Sequence, residues 1–126
     1  MIRVTYNSQK QPPAPFVLVT LANPLSGNSI VNVPAQIDTA ADRTLLPLAL
    51  LYSLSLEPVD DLLIGGVGGT IERMPVFLVS IGVLNLPPKN LCVVAHPDEQ
   101  WALLGRDVLN GIRIVLDGPK LTIEIE

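Results

Sequence analysis

The sequence predicts a single all-β, barrel-like domain with one short helix near its C-terminus. Three observations lead to this fold class. Apolar residues make up 48% of the 126-residue chain. They fall in short runs rich in Val, Ile and Leu, which favour strands, and glycine or proline turns separate the runs. A chain of this length buries one core, so we expect residues 1–126 to form one domain, with residues 1–15 as an extended N-terminal arm.

The first half of the chain predicts a hairpin followed by a leucine-rich segment. Residues 16–21 and 30–37 each have the composition of a strand, and turn residues join them. This hairpin delivers Asp38 at the end of its second strand. Residues 44–56 can form one or two helical turns, although Pro47 prevents a long helix.

The second half predicts another hairpin, whose tip is almost entirely glycine, and then short strands around one helix. The tip has four glycines in the five residues 65–69. Residues 106–111 are long enough for one or two helical turns, and Gly111 suits the position after a helix end. Residues 121–126 alternate apolar and polar side chains, as a half-buried strand does. The expected strands are 4–6, 16–21, 30–37, 62–64, 76–81, 90–95, 101–105, 112–116 and 121–126.

Charge and cysteine content argue against several classes of function. The formal charge is −4, with lysine and arginine scattered along the chain, whereas a nucleic-acid-binding surface needs a basic stripe. A single cysteine, Cys92, and a single histidine, His96, exclude an internal disulfide and argue against a structural zinc site. No apolar run approaches the length of a membrane span, and residues 1–5 lack the apolar region of a signal peptide. We therefore expect a soluble cytoplasmic domain.

Three motifs carry the candidate chemistry. Residues 37–41 are Ile-Asp-Thr-Ala-Ala, residues 64–69 are Ile-Gly-Gly-Val-Gly-Gly, and residues 103–107 are Leu-Leu-Gly-Arg-Asp. In this order and spacing the chain resembles the retropepsin-like aspartic proteases, the single-domain, homodimeric relatives of pepsin, over residues 17–125. In that family an apolar strand leads into Asp-Thr/Ser-Gly-Ala, a glycine-rich flap follows, and two apolar residues and a glycine precede a short helix. The resemblance implies a retropepsin-like acid protease barrel with a flap hairpin.

The chemistry of carboxylates supports the same assignment. Peptide hydrolysis by carboxylates needs two of them that share a proton, one to activate water and one to polarise the carbonyl. The chain supplies one Asp-Thr element, at Asp38 and Thr39, so the second carboxylate must come from a symmetry-related copy. The resemblance therefore implies a homodimer that hydrolyses a peptide or protein substrate and needs no metal or organic cofactor.

The resemblance also implies a role for individual residues. Asp38 would hold the catalytic water, and Thr39 would hydrogen-bond across the dimer axis. Arg106 would pair with Asp42 and brace the loop that carries the acid, with Gly105 in a structural role. The residues expected to contact substrate are Ala40, Asp42, Arg43, Gly65, Gly66, Val67, Trp101 and Leu103.

The last strand, 121–126, is a candidate dimer element, because retropepsin-like dimers join their termini in a shared sheet. Glu124 and Glu126 of adjacent copies would then repel one another. Low pH is expected to relieve that repulsion.

Each of these features also has a simpler interpretation. Asp38 can be an acid that caps a turn, and the glycine-rich hairpin can be an ordinary flexible turn. Arg106 and Asp42 can be unrelated surface charges, and Trp101 can be a buried core residue. His96 is expected in an exposed loop, because no Ser or Cys motif supplies a partner for a triad.

Ala40 departs from the family pattern, which most often has glycine where a carbonyl meets the substrate backbone.

The sequence supports three hypotheses about function. The first is an aspartic endopeptidase with a water between the two Asp38 carboxylates of a homodimer. The second is a catalytically weak or inactive retropepsin-like module that dimerises or binds peptides, and Ala40 motivates it. The third is a monomeric ligand-binding β-barrel in which Asp38 is scaffolding.

Overall fold

The computed structural model describes residues 1–65 and 68–126. Ten strands and two short helices occur in these ranges, which confirms the all-β class. The strands are β1 (Ile2–Thr5), β2 (Phe16–Ala22), β3 (Ser29–Ile37), β4 (Leu45–Pro47), β5 (Asp60–Gly65), β6 (Ile71–Val83), β7 (Lys89–His96), β8 (Ala102–Leu104), β9 (Ile114–Asp117) and β10 (Thr122–Ile125). The helices are α1 (Leu48–Ser53) and α2 (Arg106–Leu109).

Six of the strands close into a barrel. They follow one another in the order β2-β3-β8-β4-β7-β6, and β6 pairs back with β2 to complete the ring. The β3–β8 and β4–β7 pairs are parallel, and the other pairs in the ring are antiparallel. Within the described residues β5 pairs with β6 alone, so this hairpin extends outside the closed ring.

The interior of the barrel is aliphatic. β2 buries Val17 and Val19, and β6 buries Val79 and Ile81, while the residues between them point the other way. This alternation is the period of two expected of a strand with one face on a core. Phe77 is the largest fully buried side chain, and it packs among these aliphatic residues.

Two elements differ from the sequence-based expectation. Residues 45–47 form the short strand β4, which pairs with β7 and, through Leu45, with Leu103 of β8. The leucine-rich segment after β4 forms α1, within the residues 44–56 that were expected to allow one or two helical turns, although the predicted fold class named only the helix near the C-terminus. Pro47 precedes the first turn of α1, where a missing backbone N–H is tolerated.

The terminal strands form a separate antiparallel sheet in the order β1-β10-β9. The Tyr6 N–H donates to the Leu121 carbonyl at 2.8 Å and extends this pairing. Ile123 and Ile125 of β10 are buried in the common core. Leu121 is exposed and has a φ of 52°, so the predicted alternation begins only at Ile123.

Both edges of β10 are occupied within the chain. That strand 121–126 takes part in a sheet shared with a partner chain stays a prediction. The repulsion between glutamates of adjacent copies also stays a prediction, and within the chain each of the two glutamates has an arginine partner. Arg3 Nη2 donates to Glu124 Oε1 and Arg113 Nη1 donates to Glu126 Oε2, each at 2.7 Å. The hydrogen bond to Glu126 raises the pKa of the Arg113 guanidinium above its usual value.

None of the helices described is long and apolar enough to cross a membrane.

Candidate active site

Asp38 follows directly after β3, in a turn that backbone hydrogen bonds hold in place. Its N–H donates to the Leu104 carbonyl at 3.0 Å, and its own carbonyl accepts the Ala41 N–H at 3.3 Å. Its carboxylate oxygen Oδ1 accepts the Ala40 N–H at 3.1 Å, which is the local side-chain turn that aspartate favours. Within the described residues, Oδ2 has no hydrogen bond. The half-buried carboxylate thus keeps one oxygen for a water or a substrate atom.

The structure brings the first and third motifs together. β3 and β8 run parallel, with Gln36 opposite Leu103 and Ile37 opposite Leu104. The turn after β8 then passes so close to the Asp38 loop that a Cβ on Gly105 would lie 2.5 Å from the Arg43 carbonyl carbon. Only glycine fits at this position, because backbone atoms cannot yield as a flexible side chain can.

A hydrogen-bonded cluster of Thr44, Gly105 and Asp107 joins the two motifs. Asp107 Oδ2 accepts the Thr44 N–H at 2.9 Å, and Oδ1 accepts the Thr44 hydroxyl at 2.7 Å. The same hydroxyl accepts the Gly105 N–H at 3.1 Å. Thr44 is fully buried, so these bonds satisfy groups that have no access to water.

Sequence reasoning gave Thr44 and Asp107 no role. The available signal was the position of Asp107 in the third motif, two residues after a required glycine. An acid in the first turn of a helix, however, ordinarily suggests only an interaction with the helix dipole.

Arg106 supports the Asp38 loop through the backbone. Its Nη1 donates to the Thr39 carbonyl at 2.7 Å, and its N–H donates to the Ala41 carbonyl at 2.9 Å. The predicted ion pair with Asp42 is absent from the described part of the chain. The guanidinium instead uses a carbonyl of the same loop, and the exposed Asp42 stays at the surface. Arg106 thus contacts the Asp38 loop through a partner other than Asp42, and its bracing role stays a prediction.

The glycine-rich hairpin is the β5–β6 pair. Gly65 ends β5 opposite Ile71, and Gly68 and Gly69 have positive φ values of 92° and 79°, a conformation that glycine adopts without strain. Gly66 and Val67 lie outside the described residues, and substrate contact by any of these residues stays a prediction.

Away from the tip, the hairpin contacts β7. Oε2 of Glu72, on β6, lies 3.8 Å from the imidazole Nε2 of His96.

Trp101 is not a core residue. Its side chain is 38% exposed, and Lys10 Nζ lies 3.0 Å from the centroid of its ring. Leu103 is half-buried on β8 and Arg43 is exposed. Substrate contact stays a prediction for five residues whose positions are consistent with it: Ala40, Asp42, Arg43, Trp101 and Leu103.

No group of three or more His, Cys, Asp and Glu side chains in the described ranges is arranged to hold a metal ion.

No protein-family model matches the sequence, and no curated protein does. Solved structures do match. EIAV protease complexed with the inhibitor HBY-793 is 25% identical, with a TM-score of 0.61 over 90% of this chain and 100% of that one. A retropepsin-like aspartic protease from Rickettsia conorii is 15% identical, with a TM-score of 0.57 over 98% and 99% of the two chains.

The retroviral protease-like domain of Ddi1 from Leishmania major is 13% identical, with a TM-score of 0.56 over 90% of this chain and 88% of that one. These structures share one architecture with this chain over almost its full length. The closed barrel, the glycine-rich hairpin outside it and the short helix after β8 match the expectation drawn from the three motifs. The chain therefore has the retropepsin-like fold.

Proposed function

We propose that this protein is an aspartic endopeptidase that acts as a homodimer. The observation that carries the proposal is the position of Asp38. It directly follows a barrel strand, its backbone is tied to Leu104, and one oxygen of its carboxylate is held by the Ala40 N–H. The fold adds support, since EIAV protease and the Rickettsia conorii retropepsin-like aspartic protease share it.

In the proposed reaction a water lies between the Asp38 carboxylates of the two copies. One carboxylate accepts a proton from this water as its oxygen attacks the peptide carbonyl, and the other, already protonated, donates to the carbonyl oxygen. Collapse of the tetrahedral intermediate breaks the C–N bond, and a carboxyl proton goes to the departing amine. The two carboxylates share a proton in this mechanism, because two like charges so close together repel each other.

The surroundings of Asp38 suit this role. Thr39 and Ala40 are exposed, so a second copy can reach them, and Arg106 donates a hydrogen bond to the Thr39 carbonyl. Ala40 does not have a positive φ. The non-glycine residues that do, in the described ranges, are Asn32, Ser55, Leu84 and Leu121. Alanine at position 40 therefore imposes no backbone strain on the loop.

The test is cleavage of an unfolded protein from acidic to neutral pH. Wild type is expected to cleave, and Asp38→Asn to lose cleavage, while Asp117→Asn is the matched control because it changes an aspartate at the end of β9. A confirmed dimer that cleaves nothing at any pH would overturn the proposal. Equal cleavage by wild type and Asp38→Asn would also count against it, since the activity would then come from a contaminant.

A second candidate is a retropepsin-like module that binds peptides or dimerises with little hydrolysis. Ala40 is the residue that favours it, because its methyl adds bulk beside Asp38, on an exposed loop. Ala40→Gly separates the two candidates. A large gain in cleavage over a nearly inactive wild type supports the module, whereas similar rates for both forms support the endopeptidase.

A further inference from the structure

A cavity of about 550 Å³ lies at the open edge of β3. β8 begins at Ala102, opposite Ala35, so the earlier residues of β3 have no partner on that side. Trp101, which precedes β8, and Phe16, the first residue of β2, line the opening. Asn7, Gln9 and Lys10 of the N-terminal arm also line it, with Lys10 near both aromatic rings.

The cavity lies beside β3 and β8, the two parallel strands that lead to the Asp38 loop. Gln36 is paired with Phe16 of β2 on one side and with Leu103 of β8 on the other, and directly paired residues place their side chains on the same face. Asp38 directly follows β3 and Trp101 directly precedes β8, so the two residues flank these paired strands.

The Trp101 edge of the cavity is close to the Asp38 loop along β8. Trp101 is three residues before Leu104, whose carbonyl accepts the Asp38 N–H. At about 3.3 Å per residue this is roughly 10 Å, the length of about three residues of an extended peptide. A peptide cleaved at Asp38 would therefore place a side chain about three residues away from the bond at the cavity.

The positive charge of Lys10 in the cavity favours a negatively charged ligand group. Lys10 is the one charged residue among the described residues that line it. Its Nζ lies 3.0 Å from the Trp101 ring centroid and 5.7 Å from that of Phe16, and in the described part of the chain it has no ion pair. Asp98 and Glu99 are near in sequence but do not line the cavity. The aromatic rings position the ammonium group and leave it without a counter-ion.

The remaining lining residues suit a side chain with an apolar stem and a polar end. Phe16, Leu50 and Ala102 contribute apolar surface, and the amides of Asn7 and Gln100 contribute hydrogen-bonding groups. A carboxylate beside Lys10 gains a charge-assisted hydrogen bond, which is stronger than the bond that a neutral amide makes.

We infer that this cavity binds an acidic side chain of the peptide substrate and that Lys10 determines the selectivity. The inference rests on the proposed function for the position of the peptide, but binding can be measured without cleavage. Trp101 is the single tryptophan of the chain, so its fluorescence reports occupancy of the cavity.

The experiment uses Asp38→Asn protein, which leaves the peptide intact. Extended peptides with one glutamate, placed in turn at each position, are compared with their glutamine counterparts by titration of Trp101 emission. At one position about three residues from the centre of the peptide, the glutamate form is expected to bind about three- to tenfold more tightly at low salt. Added salt should reduce this preference.

Three further variants test the role of Lys10 in the same protein. Lys10→Met keeps the aliphatic stem and should abolish the preference, and Lys10→Arg should retain it. Lys120→Met is the matched control, because it removes a lysine from the β9–β10 turn and should leave the preference unchanged. Equal binding of the two peptide forms, or a preference that survives in Lys10→Met, would overturn the inference.

The same peptides, given to wild-type protein, separate this inference from the proposed function. Asp38-dependent cleavage with no acidic preference would overturn the inference and leave the endopeptidase intact. Selective binding in Asp38→Asn protein, together with no cleavage by wild type, would support the acidic site and count against the endopeptidase.

Discussion

The hydroxyl of Thr44 and the carboxylate of Asp107 connect the Asp38 loop to α2 at the scale of single residues. Thr44→Val keeps the shape of the side chain but leaves the Gly105 N–H and one oxygen of Asp107 without a partner. We expect the free energy of unfolding to fall by about 1–3 kcal/mol, measured by urea denaturation. Thr44→Ser keeps the hydroxyl and should cost less; equal losses for both variants would show that the hydrogen bonds contribute little.

Gly105 gives a second prediction at this scale. In Gly105→Ala the new Cβ would lie 2.5 Å from the Arg43 carbonyl carbon and 2.9 Å from the Thr44 nitrogen. The backbone must shift, and we expect a loss of about 1–3 kcal/mol in unfolding free energy. Gly82→Ala is the matched control, since its Cβ would have its nearest neighbour at 3.7 Å, an ordinary contact with Pro88. Similar stability for both variants would contradict the prediction.

Arg106 is expected to affect catalysis more than stability. Its exposed guanidinium holds the Thr39 carbonyl, so Arg106→Met should leave the unfolding free energy nearly unchanged. A small displacement of the Asp38 loop should lower kcat by about ten- to hundredfold. Asp42→Asn tests the partner predicted from sequence and should leave kcat near the wild-type value if Thr39 is the true partner. The reverse ranking of the two variants would restore the Arg106–Asp42 pair.

At the scale of elements, the pairing of β10 within the chain leads to a prediction about amide hydrogen exchange. Ile123 and Ile125 lie between β1 and β9, so their amides should be protected from hydrogen exchange in the monomer. Protection that persists on dilution below the dimer dissociation constant, measured by mass spectrometry or NMR, supports pairing within the chain. Protection that disappears on dilution would mean that β10 pairs with a second copy.

The elements also show what can be inferred from a sequence. The strands at 16–21 and 30–37 were predictable, because β-branched and aliphatic residues sit between turn residues and their alternation reflects one buried face. β4 was missed because a three-residue strand has no measurable period and depends on its neighbours β7 and β8.

Part of the candidate site could likewise be predicted from the sequence, and part could not. The positions of Asp38 and Gly105 follow from short motifs with a physical reason for each residue. The contacts of Thr44 with Asp107 and of Arg106 with Thr39 join residues 63 and 67 positions apart. Hydrogen bonds at such separations depend on the parallel pairing of β3 with β8, which no local pattern specifies. Trp101 was similarly ambiguous, because a tryptophan suits both a core and a binding surface.

At the scale of the whole molecule, the proposed site needs two copies of the chain, each with one carboxylate. Wild type mixed with Asp38→Asn should form mixed dimers that have a single Asp38 and no activity. Cleavage should then fall with the square of the wild-type fraction after subunits have exchanged. A linear fall would mean that each chain works alone, and a strict monomer by sedimentation at high concentration would favour the ligand-binding barrel.

The closure of the barrel by β2 and β6 has a consequence for motion. Because the ring is complete without β5, the free energy of detaching β5 from β6 is separate from that of unfolding the ring. Leu63 on β5 and Ile71 on β6 are 64% and 68% exposed, so little apolar contact resists this detachment. The hairpin can therefore detach locally while the barrel stays folded. Native-state hydrogen exchange should then reveal two separate cooperative units.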